Sequence, residues 1–246
     1  MDRLIYTAAS GAKHILEQQG TTSNNLANAS TTGFRAQLDT FRAVPVQSEG
    51  LPTRAFVVDN TVGADFTAGP IQLTGRDLDV AVKGDGWLAV RMADGSESYT
   101  RNGALQVSQN GVLTDSKGQA IAGEGGPITI PPDTTISVGG DGTIAGISTT
   151  TVPATATVLG RIKLVNPPTR DMVRGDDGLF RMKDGSNAPA DPAVGLTGGA
   201  LEGSNVSPVD AMVSMISLAR SFETQMSLMK NVENNDSKAT QILALT

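Results

Sequence analysis

Few side chains in this sequence could support catalysis, and their spacing matches no catalytic arrangement. The 246 residues contain a single histidine, His14, and no cysteine. Metal binding and acid–base catalysis would therefore depend on carboxylates, hydroxyls or lysines. His14 has no second type of metal ligand at a suitable spacing and no catalytic triad around it, and no pair of carboxylates indicates a glycosidase. The sequence predicts a protein that is not an enzyme and has no cofactor.

Acidic residues beside glycines are the remaining candidates for a metal site. Residues 140–142 and 175–178 read Gly-Asp-Gly and Gly-Asp-Asp-Gly, but neither has the alternating ligand spacing of a helix-loop-helix calcium site. Asp and Asn favour turns without any ion, because they tolerate a left-handed backbone. Residues 123–127, GEGGP, lack the lysine and the helix of a phosphate-binding loop. We predict turns at these positions and no metal site.

The charge of the chain argues against two classes of partner. A formal net charge of −6 provides no basic surface to neutralise nucleic-acid phosphates, and we expect no direct lipid binding. The first residues lack the basic-then-apolar layout of a cleaved signal peptide. No apolar run reaches transmembrane length.

A weak amphipathic pattern over the first 28 residues predicts an N-terminal helix. Apolar or small residues recur on one face of this helix, at Ile5, Ala8, Ala12, Ile15 and Leu26. Gly11 and Gly20 each cost about 1 kcal/mol relative to alanine inside a helix. The segment should therefore be only marginally helical without a partner.

A stronger pattern near the other end predicts a long C-terminal helix. Ser207 as N-cap, Pro208 at the first helical position and Asp210 at N3 form a good helix start. A coiled-coil seam follows with spacings of three and four, at Met212, Met215, Ala219, Phe222, Met226 and Met229. Continued to about Leu245, the helix would be on the order of 58 Å long, so it needs other helices beside it. Because methionine adapts to irregular neighbours, we predict that the N- and C-terminal seams form an assembly interface.

Between the helices, from about residue 57 to 201, short β-prone runs alternate with turns. Eight dipeptides mark these turns: Asp85-Gly86, Asp94-Gly95, Asn102-Gly103, Asn110-Gly111, Lys117-Gly118, Asp141-Gly142, Asp177-Gly178 and Asp184-Gly185. Such spacing is typical of antiparallel hairpins. The sequence therefore predicts an α+β fold, in which N- and C-terminal helices pair as a coiled coil and a central domain is all-β and antiparallel. We place the helical domain at residues 1–35 and 204–246, an extended connector at 36–69 and the β domain at 70–203.

Four segments resemble the flagellar rod, hook and hook-associated axial proteins. Residues 23–35, SNNLANASTTGFR, are similar to the N-terminal signature of that family, whose residues here include Asn25, Leu26, Ala27, Asn28, Gly33 and Phe34. Residues 78–87 resemble the segment that leads into the family's β domain. The sequences YTRNG at 99–103 and LEGSNV at 201–206 then follow in the family's order and spacing.

The resemblance spans nearly all of the chain, and the MDRLIYTA opening, RAQL at 35–38 and GEGGP at 123–127 are most similar to proximal-rod members. It implies a structural subunit of the flagellar basal-body rod that assembles helically with copies of itself and with other rod proteins. The resulting shaft would transmit motor torque and enclose the export channel. It also implies a place in the rod across the periplasm, reached through the flagellar export apparatus without signal cleavage.

Two alternatives stay open from the sequence. A distal-rod or hook-type paralogue would share the same motifs, although distal-rod members open differently and hook proteins carry an additional outer domain. A β module on a coiled-coil stalk could instead bind a glycan through Trp87 and the acidic turns. A lone tryptophan at the start of a strand is more often a core residue, and we predict a core position for Trp87.

Overall fold

The computed structural model describes residues 2–45, 55–148 and 155–243, and over these ranges the chain is an α+β protein. Helix α1 is Asp2–Ala27, helix α2 is Pro208–Leu243, and a short 3-10 helix is Thr169–Asp171. The strands are β1 Gln37–Pro45, β2 Ala55–Ala64, β3 Ile71–Leu73, β4 Val80–Lys83, β5 Trp87–Arg91, β6 Glu97–Thr100, β7 Leu105–Val107, β8 Leu113–Asp115, β9 Ala120–Gly123, β10 Gly126–Pro127, β11 Thr134–Val138, β12 Thr143–Ser148, β13 Ala156–Arg161, β14 Leu164–Val165, β15 Met172–Arg174, β16 Phe180–Met182, β17 Gly195–Gly198 and β18 Ala200–Glu202. Neither helix is apolar enough over its described length to cross a membrane.

The chain divides into two compact units. Unit 1 consists of Met1–Ala29, Gln37–Asp65 and Val206–Thr246, and unit 2 consists of Ser30–Ala36 and Phe66–Asn205. The segment for which the sequence predicts an extended connector therefore contains a two-stranded antiparallel ribbon, because β1 pairs with β2. β2 contains three valines and one phenylalanine and β1 one of each, and these residues favour strands over extended loops.

Unit 1 combines the two helices with this ribbon. Ser207 caps α2 as predicted, because its hydroxyl accepts a hydrogen bond from the Asp210 amide at 3.4 Å. Helices α1 and α2 contact each other, and α1 also contacts β1 and β2. The rings of His14 on α1 and Phe41 on β1 meet edge to face, with 5.5 Å between their centroids. His14 thus lies against an aromatic ring, and its Nδ1 also lies 3.0 Å from Glu17 Oε2.

Unit 2 is built from antiparallel sheets, as the sequence predicts. The largest sheet has the order β15-β16-β6-β5-β9-β8-β7, with β10 beside β9 and β14 beside β5. The strands β11, β12 and β13 form a second sheet, while β17 pairs with β4 and β18 pairs with β3. Aliphatic side chains from these sheets meet in one core, which includes Val80, Leu88, Leu113, Ile144 and Leu196.

Most of the predicted glycine turns have the backbone conformation that favours glycine. Seven of the eight glycines have a positive φ, among them Gly95 between β5 and β6 and Gly118 between β8 and β9. The acidic partners stabilise the turns directly. The hydroxyl of Ser96 donates to Asp94 Oδ1 and lowers the pKa of Asp94, and Thr143 does the same for Asp141. These carboxylates thus have a turn-stabilising role that requires no ion.

Tyr99 on β6 is the most strongly perturbed acid of unit 2. Its side chain is fully buried, and its hydroxyl oxygen accepts a hydrogen bond from the Ala188 amide at 2.6 Å. Burial raises the pKa of Tyr99 to about 12, because the neutral phenol is favoured away from water.

We predict that Tyr99 makes stability fall at high pH. In the unfolded chain Tyr99 ionises near its ordinary pKa of about 10, whereas in the folded protein it stays neutral up to about 12. The stability that the raised pKa of Tyr99 contributes to the folded protein is fully present below pH 10, and it is lost as the pH rises through the folded pKa. The difference in urea midpoint between wild type and Tyr99→Phe should therefore shrink across this interval. A constant difference would contradict the prediction. The other tyrosine, the exposed Tyr6, is present in both proteins, so its ionisation does not affect the difference between them.

Candidate functional site

The exposed face of α2 is the first candidate surface. On this helix the less exposed positions are Ala211, Met215, Leu218, Phe222, Gln225, Met229 and Val232. They alternate in steps of four and three, which places them on one face. A second group of apolar side chains is more than half exposed, namely Val209, Met212, Val213 and Ile216. Helix α2 therefore has apolar side chains on two faces.

The structure divides the seam predicted on α2 between these two environments. Met215, Phe222 and Met229 are half-buried, whereas Met212, Ala219 and Met226 are exposed. Because α1 contacts α2, the half-buried residues lie where a neighbouring helix can cover them. The six residues do not share one environment within this chain.

The seam predicted on α1 is covered throughout. Ala12 is buried, and Ile5, Ala8, Ile15 and Leu26 are half-buried. The predicted weak point Gly11 faces α2, because a Cβ atom built there would lie 3.5 Å from the Gln225 side chain. A small residue at this position lets the two helices approach each other.

The first part of the signature ends α1 and starts the ribbon. The Asn25 side chain forms two hydrogen bonds with the backbone of Gln37, through Nδ2 to the carbonyl at 2.9 Å and from the amide to Oδ1 at 2.8 Å. Asn28 donates from Nδ2 to the Asn24 carbonyl at 2.9 Å. Leu26 is half-buried beside them and Ala27 is exposed. The asparagines thus close the helix end and fix where β1 begins.

In unit 2 the four motif segments meet at one place, which we call the motif junction: Arg35, Trp87, Arg101 and Glu202. The Glu202 carboxylate lies between the two arginines, with Oε1 2.7 Å from Arg35 Nη1 and Oε2 3.0 Å from Arg101 Nη1. All three charged side chains are almost completely buried. The two guanidinium carbons lie 5.9 Å and 5.3 Å from the centroid of the Trp87 ring. The junction is thus an ion triad on an aromatic face.

Backbone hydrogen bonds fasten residues 30–36 to residues 202–205 beside the junction. The Gly33 amide donates to the Glu202 carbonyl at 2.7 Å. The Ala36 amide donates to Asn205 Oδ1 at 2.7 Å, and the Asn205 amide donates to the Phe34 carbonyl at 3.4 Å. These bonds fasten the first passage of the chain through unit 2, residues 30–36, to the end of the second, Phe66–Asn205. Asn205 also donates from Nδ2 to the Thr67 carbonyl at 3.2 Å, so this second passage enters and leaves the unit at adjacent points.

Close backbone approaches explain the glycines of the junction. Gly33 has a φ of 66°, and a Cβ atom there would lie 2.3 Å from the Arg101 carbonyl carbon and from the Asn102 nitrogen. At Gly103, whose φ is not positive, a Cβ atom would lie 1.7 Å from the Val80 oxygen. Both distances are far below van der Waals contact, so only glycine fits.

Aromatic residues surround Trp87 and Phe34. Trp87 is buried, which confirms its predicted core position, and its ring lies 4.7 Å from that of Phe180 and 6.0 Å from that of Phe66. Phe34 is also buried, with the Arg174 guanidinium 4.6 Å above its ring. Arg174 donates to the Arg35 carbonyl at 3.0 Å, and burial lowers its pKa. These contacts hold the end of the signature in the core of unit 2.

The chemistry of the described residues is that of packing and ion pairing. The parts of the chain described here contain no cluster of three or more His, Cys, Asp or Glu side chains that could hold a metal. An open groove of about 580 Å³ in unit 1 is lined by α1, β1 and α2, including Gln18, Leu38 and Val213. Its lining includes one carboxylate, Asp39, and no base beside it, so it supports no acid–base chemistry.

The sequence did not reveal Arg35, Arg101 and Glu202 as a set. Each lies inside a segment chosen for its resemblance, but their pairing depends on contacts between distant parts of the chain. The available signal was a charged residue inside each glycine-containing motif: TGFR, TRNG and LEGS. Charged residues among small residues that fold inward need a partner of opposite sign.

Comparison with known proteins gives matches along most of the chain. The family model "Flagella basal body rod protein" matches residues 5–35, "Flagellar hook protein FlgE/F/G D1 domain" matches 81–146, and "Flagellar basal body rod FlgEFG protein C-terminal" matches 197–242. The chain is 48% identical to the flagellar basal-body rod protein FlgF of Salmonella typhimurium and 47% identical to that of Escherichia coli, in each case over the full length of both chains. It is 30% identical to FlgG of Buchnera aphidicola, over 82% of this chain and 84% of that protein.

We predict that Gly33→Ala is much more destabilising than a left-handed backbone alone explains. The added methyl group meets the backbone of residues 101 and 102, so the free energy of unfolding should fall by about 3 kcal/mol or more. Gly118→Ala is the matched control, because Gly118 has a φ of 83° but no atom within 4 Å of the added Cβ. It should cost about 1–2 kcal/mol. Urea unfolding followed by Trp87 fluorescence measures both, and equal costs would contradict the steric explanation.

Proposed function

The chain belongs to the family of flagellar basal-body rod proteins, and we propose that it is a structural subunit of the proximal part of that rod. Its relatives at 48% and 47% identity are basal-body rod proteins of the FlgF type, matched from end to end. The FlgF and FlgG proteins of one Buchnera aphidicola subspecies are each 30% identical to this chain, but FlgF matches over 98% of it and FlgG over 82%, which favours this position over that of a paralogue.

The exposed apolar face of α2 is the observation that carries this proposal. Four apolar side chains on this helix are more than half exposed to solvent: Val209, Met212, Val213 and Ile216. A patch of this kind marks an interaction surface in a soluble protein. Contacts between different faces of identical subunits generate closed rings when the rotation closes and helical filaments when it does not. We propose that neighbouring subunits cover this face in the rod.

The pairing of α1 with α2 as a coiled coil is the second part of the proposal. The less exposed positions of α2 alternate in steps of four and three, from Ala211 to Val232, which is heptad spacing. On α1 the predicted seam residues are all covered. The methionines Met215 and Met229 on this face are flexible enough to adapt to unlike neighbours. The predicted interface then comprises the intramolecular seam and the exposed face beside it.

The partners and the location follow from this role. We propose that copies of this chain and other flagellar rod proteins are its partners, in a rod that crosses the periplasm, transmits torque and encloses the export channel. The subunit would reach this place through the flagellar export apparatus without signal cleavage. A net charge of −6 supports the expectation that neither nucleic acid nor lipid binds it directly.

The glycan-binding alternative is disfavoured by one observation. That hypothesis requires Trp87 to stack on a sugar, and its ring is 3% exposed, covered by Phe66, Phe180 and two arginines. A buried ring cannot act as a stacking platform without opening the core of unit 2.

We predict that Ile216→Asp blocks assembly without unfolding the monomer. Ile216 is 57% exposed, so a carboxylate there costs little in the free chain but would be desolvated under a neighbouring subunit. In a strain that lacks the gene, the variant should give basal bodies with a truncated rod in electron micrographs and no swimming.

Ser221→Asp is the matched control for Ile216→Asp. Ser221 is also exposed on α2, and adjacent positions on its side of the helix, Ser214, Ser217 and Thr224, are hydroxyl residues. This variant should restore the rod and motility. If the Ile216→Asp variant has a wild-type circular dichroism spectrum and still assembles a complete rod, the exposed face of α2 is not an assembly interface.

We predict that Phe222→Asp weakens the helices and leaves unit 2 folded. Phe222 is half-buried on the less exposed face of α2, so a carboxylate there loses apolar contacts and is partly desolvated. Helical circular dichroism should fall while the unfolding midpoint reported by Trp87 stays at the wild-type value, and incorporation into the rod should be lost. Normal incorporation would count against the paired seam.

A further inference from the structure

The motif junction has one more positive charge than negative charge. The side chains of Arg35 and Arg101 are 0% and 4% exposed, and the single buried carboxylate between them, Glu202, is 2% exposed. Asp85 also attracts Arg101, but it is exposed to solvent, where its effect is screened. Removing water from an ion is costly unless a partner compensates it. Two buried cations therefore depend on one carboxylate.

The remaining donors of the two arginines are only partly satisfied. Arg101 Nη2 donates to the Gly84 carbonyl at 2.8 Å. Among the described residues, however, Arg35 Nε, Arg35 Nη2 and Arg101 Nε are buried without a hydrogen-bond acceptor. The Trp87 ring adds an attraction to both guanidinium groups, but it carries no charge. Without Glu202, nothing else buried at the junction would neutralise the arginines.

Glu202 also makes the contacts that close this end of unit 2. Its Oε1 accepts a hydrogen bond from the Gly69 amide at 3.0 Å, and its backbone carbonyl accepts one from Gly33 at 2.7 Å. It is the last residue of β18, the final strand of the unit, and it lies opposite Ile71 of β3. One residue near the C-terminal end thus joins three earlier parts of the unit, residues 33–35, residues 69–71 and Arg101.

We propose that Glu202 is a closing latch, and that residues 30–36 pack into unit 2 only after its carboxylate has docked between Arg35 and Arg101. Chains are made from the N-terminus, so both arginines precede their shared partner by at least a hundred residues. Until Glu202 arrives, burying them is opposed by their uncompensated charges. The latch therefore keeps this end of unit 2 open in an incomplete chain. It follows from the junction alone and does not depend on assembly into a rod.

The equilibrium test uses three full-length variants and unfolding in urea. Trp87, the sole tryptophan, touches both arginines and reports the junction directly. Glu202→Gln keeps the shape and removes the charge, so its midpoint should fall by about 2 M or its transition should disappear. Glu97→Gln is the matched control, because among the described residues Glu97 has one ion-pair partner within 4 Å, Lys163 at 2.8 Å. Its midpoint should fall by less than half as much.

The decisive variant is a triple variant that carries Arg35→Met, Arg101→Met and Glu202→Gln together. It has no charged side chain at the junction. If the unpaired arginines cause the loss, this triple variant should recover most of the wild-type midpoint, so the three changes are strongly non-additive. A triple variant that does not fold, or that unfolds at or below the midpoint of Glu202→Gln, would overturn the latch.

Refolding kinetics distinguish a latch from a merely stabilising contact. In stopped-flow dilution from urea, the triple variant should recover Trp87 fluorescence faster than wild type, because the packing of residues 30–36 no longer has to wait for a carboxylate to dock between two cations. The same rate or a slower rate would show that Glu202 stabilises the final state without controlling closure, and would overturn the proposal.

Discussion

The sharing of one buried carboxylate by two buried arginines constrains the rest of unit 2. Arg35, Arg101 and Glu202 lie in three segments far apart along the chain, and the buried carboxylate of the last contacts the buried guanidinium groups of the other two. The surrounding glycines serve this packing, since Gly33 and Gly103 allow backbones to approach where a side chain would not fit. Replacing such a triad by apolar residues can be neutral or stabilising in other proteins. The role of the buried ion triad here is therefore better explained by specificity: it favours one arrangement of the motif segments over others.

Unit 1 is organised by a different force, the burial of apolar faces on long helices. Helix α1 has its predicted seam residues covered and leaves Tyr6 and Leu16 exposed, while α2 has a covered face and an exposed one. A helix with two apolar faces is incompletely buried in a single chain, so it gains stability from neighbours. The proposed rod function thus depends on a surface that the monomer leaves in water, whereas the internal order of unit 2 depends on charges that it removes from water.

The sequence predicted local features well and long-range ones poorly. Ser207 and Pro208 marked the start of α2 and the glycine dipeptides marked the hairpins, because caps and turns depend on adjacent residues. Periodicity alone does not decide which face of α2 meets α1, because apolar residues lie on more than one face of this helix. The ribbon within residues 36–69 was taken for a connector, since pairing of β1 with β2 is not encoded in either strand alone. Partners such as Arg35 and Glu202 need the folded chain to be recognised.

The adjacent entry and exit of unit 2 have a consequence for how such a chain can change in size. Residues 30–36 and 202–205 are held side by side by hydrogen bonds such as that from the Ala36 amide to Asn205 Oδ1. Asn205 also donates from Nδ2 to the Thr67 carbonyl at 3.2 Å, so everything from Phe66 to the final strand is an insertion between two fastened crossings of the backbone. Strands or whole hairpins can then be added to or deleted from its far side while the separation of the two crossings stays the same. Chains with β units of very different lengths could therefore present the same pair of attachment points.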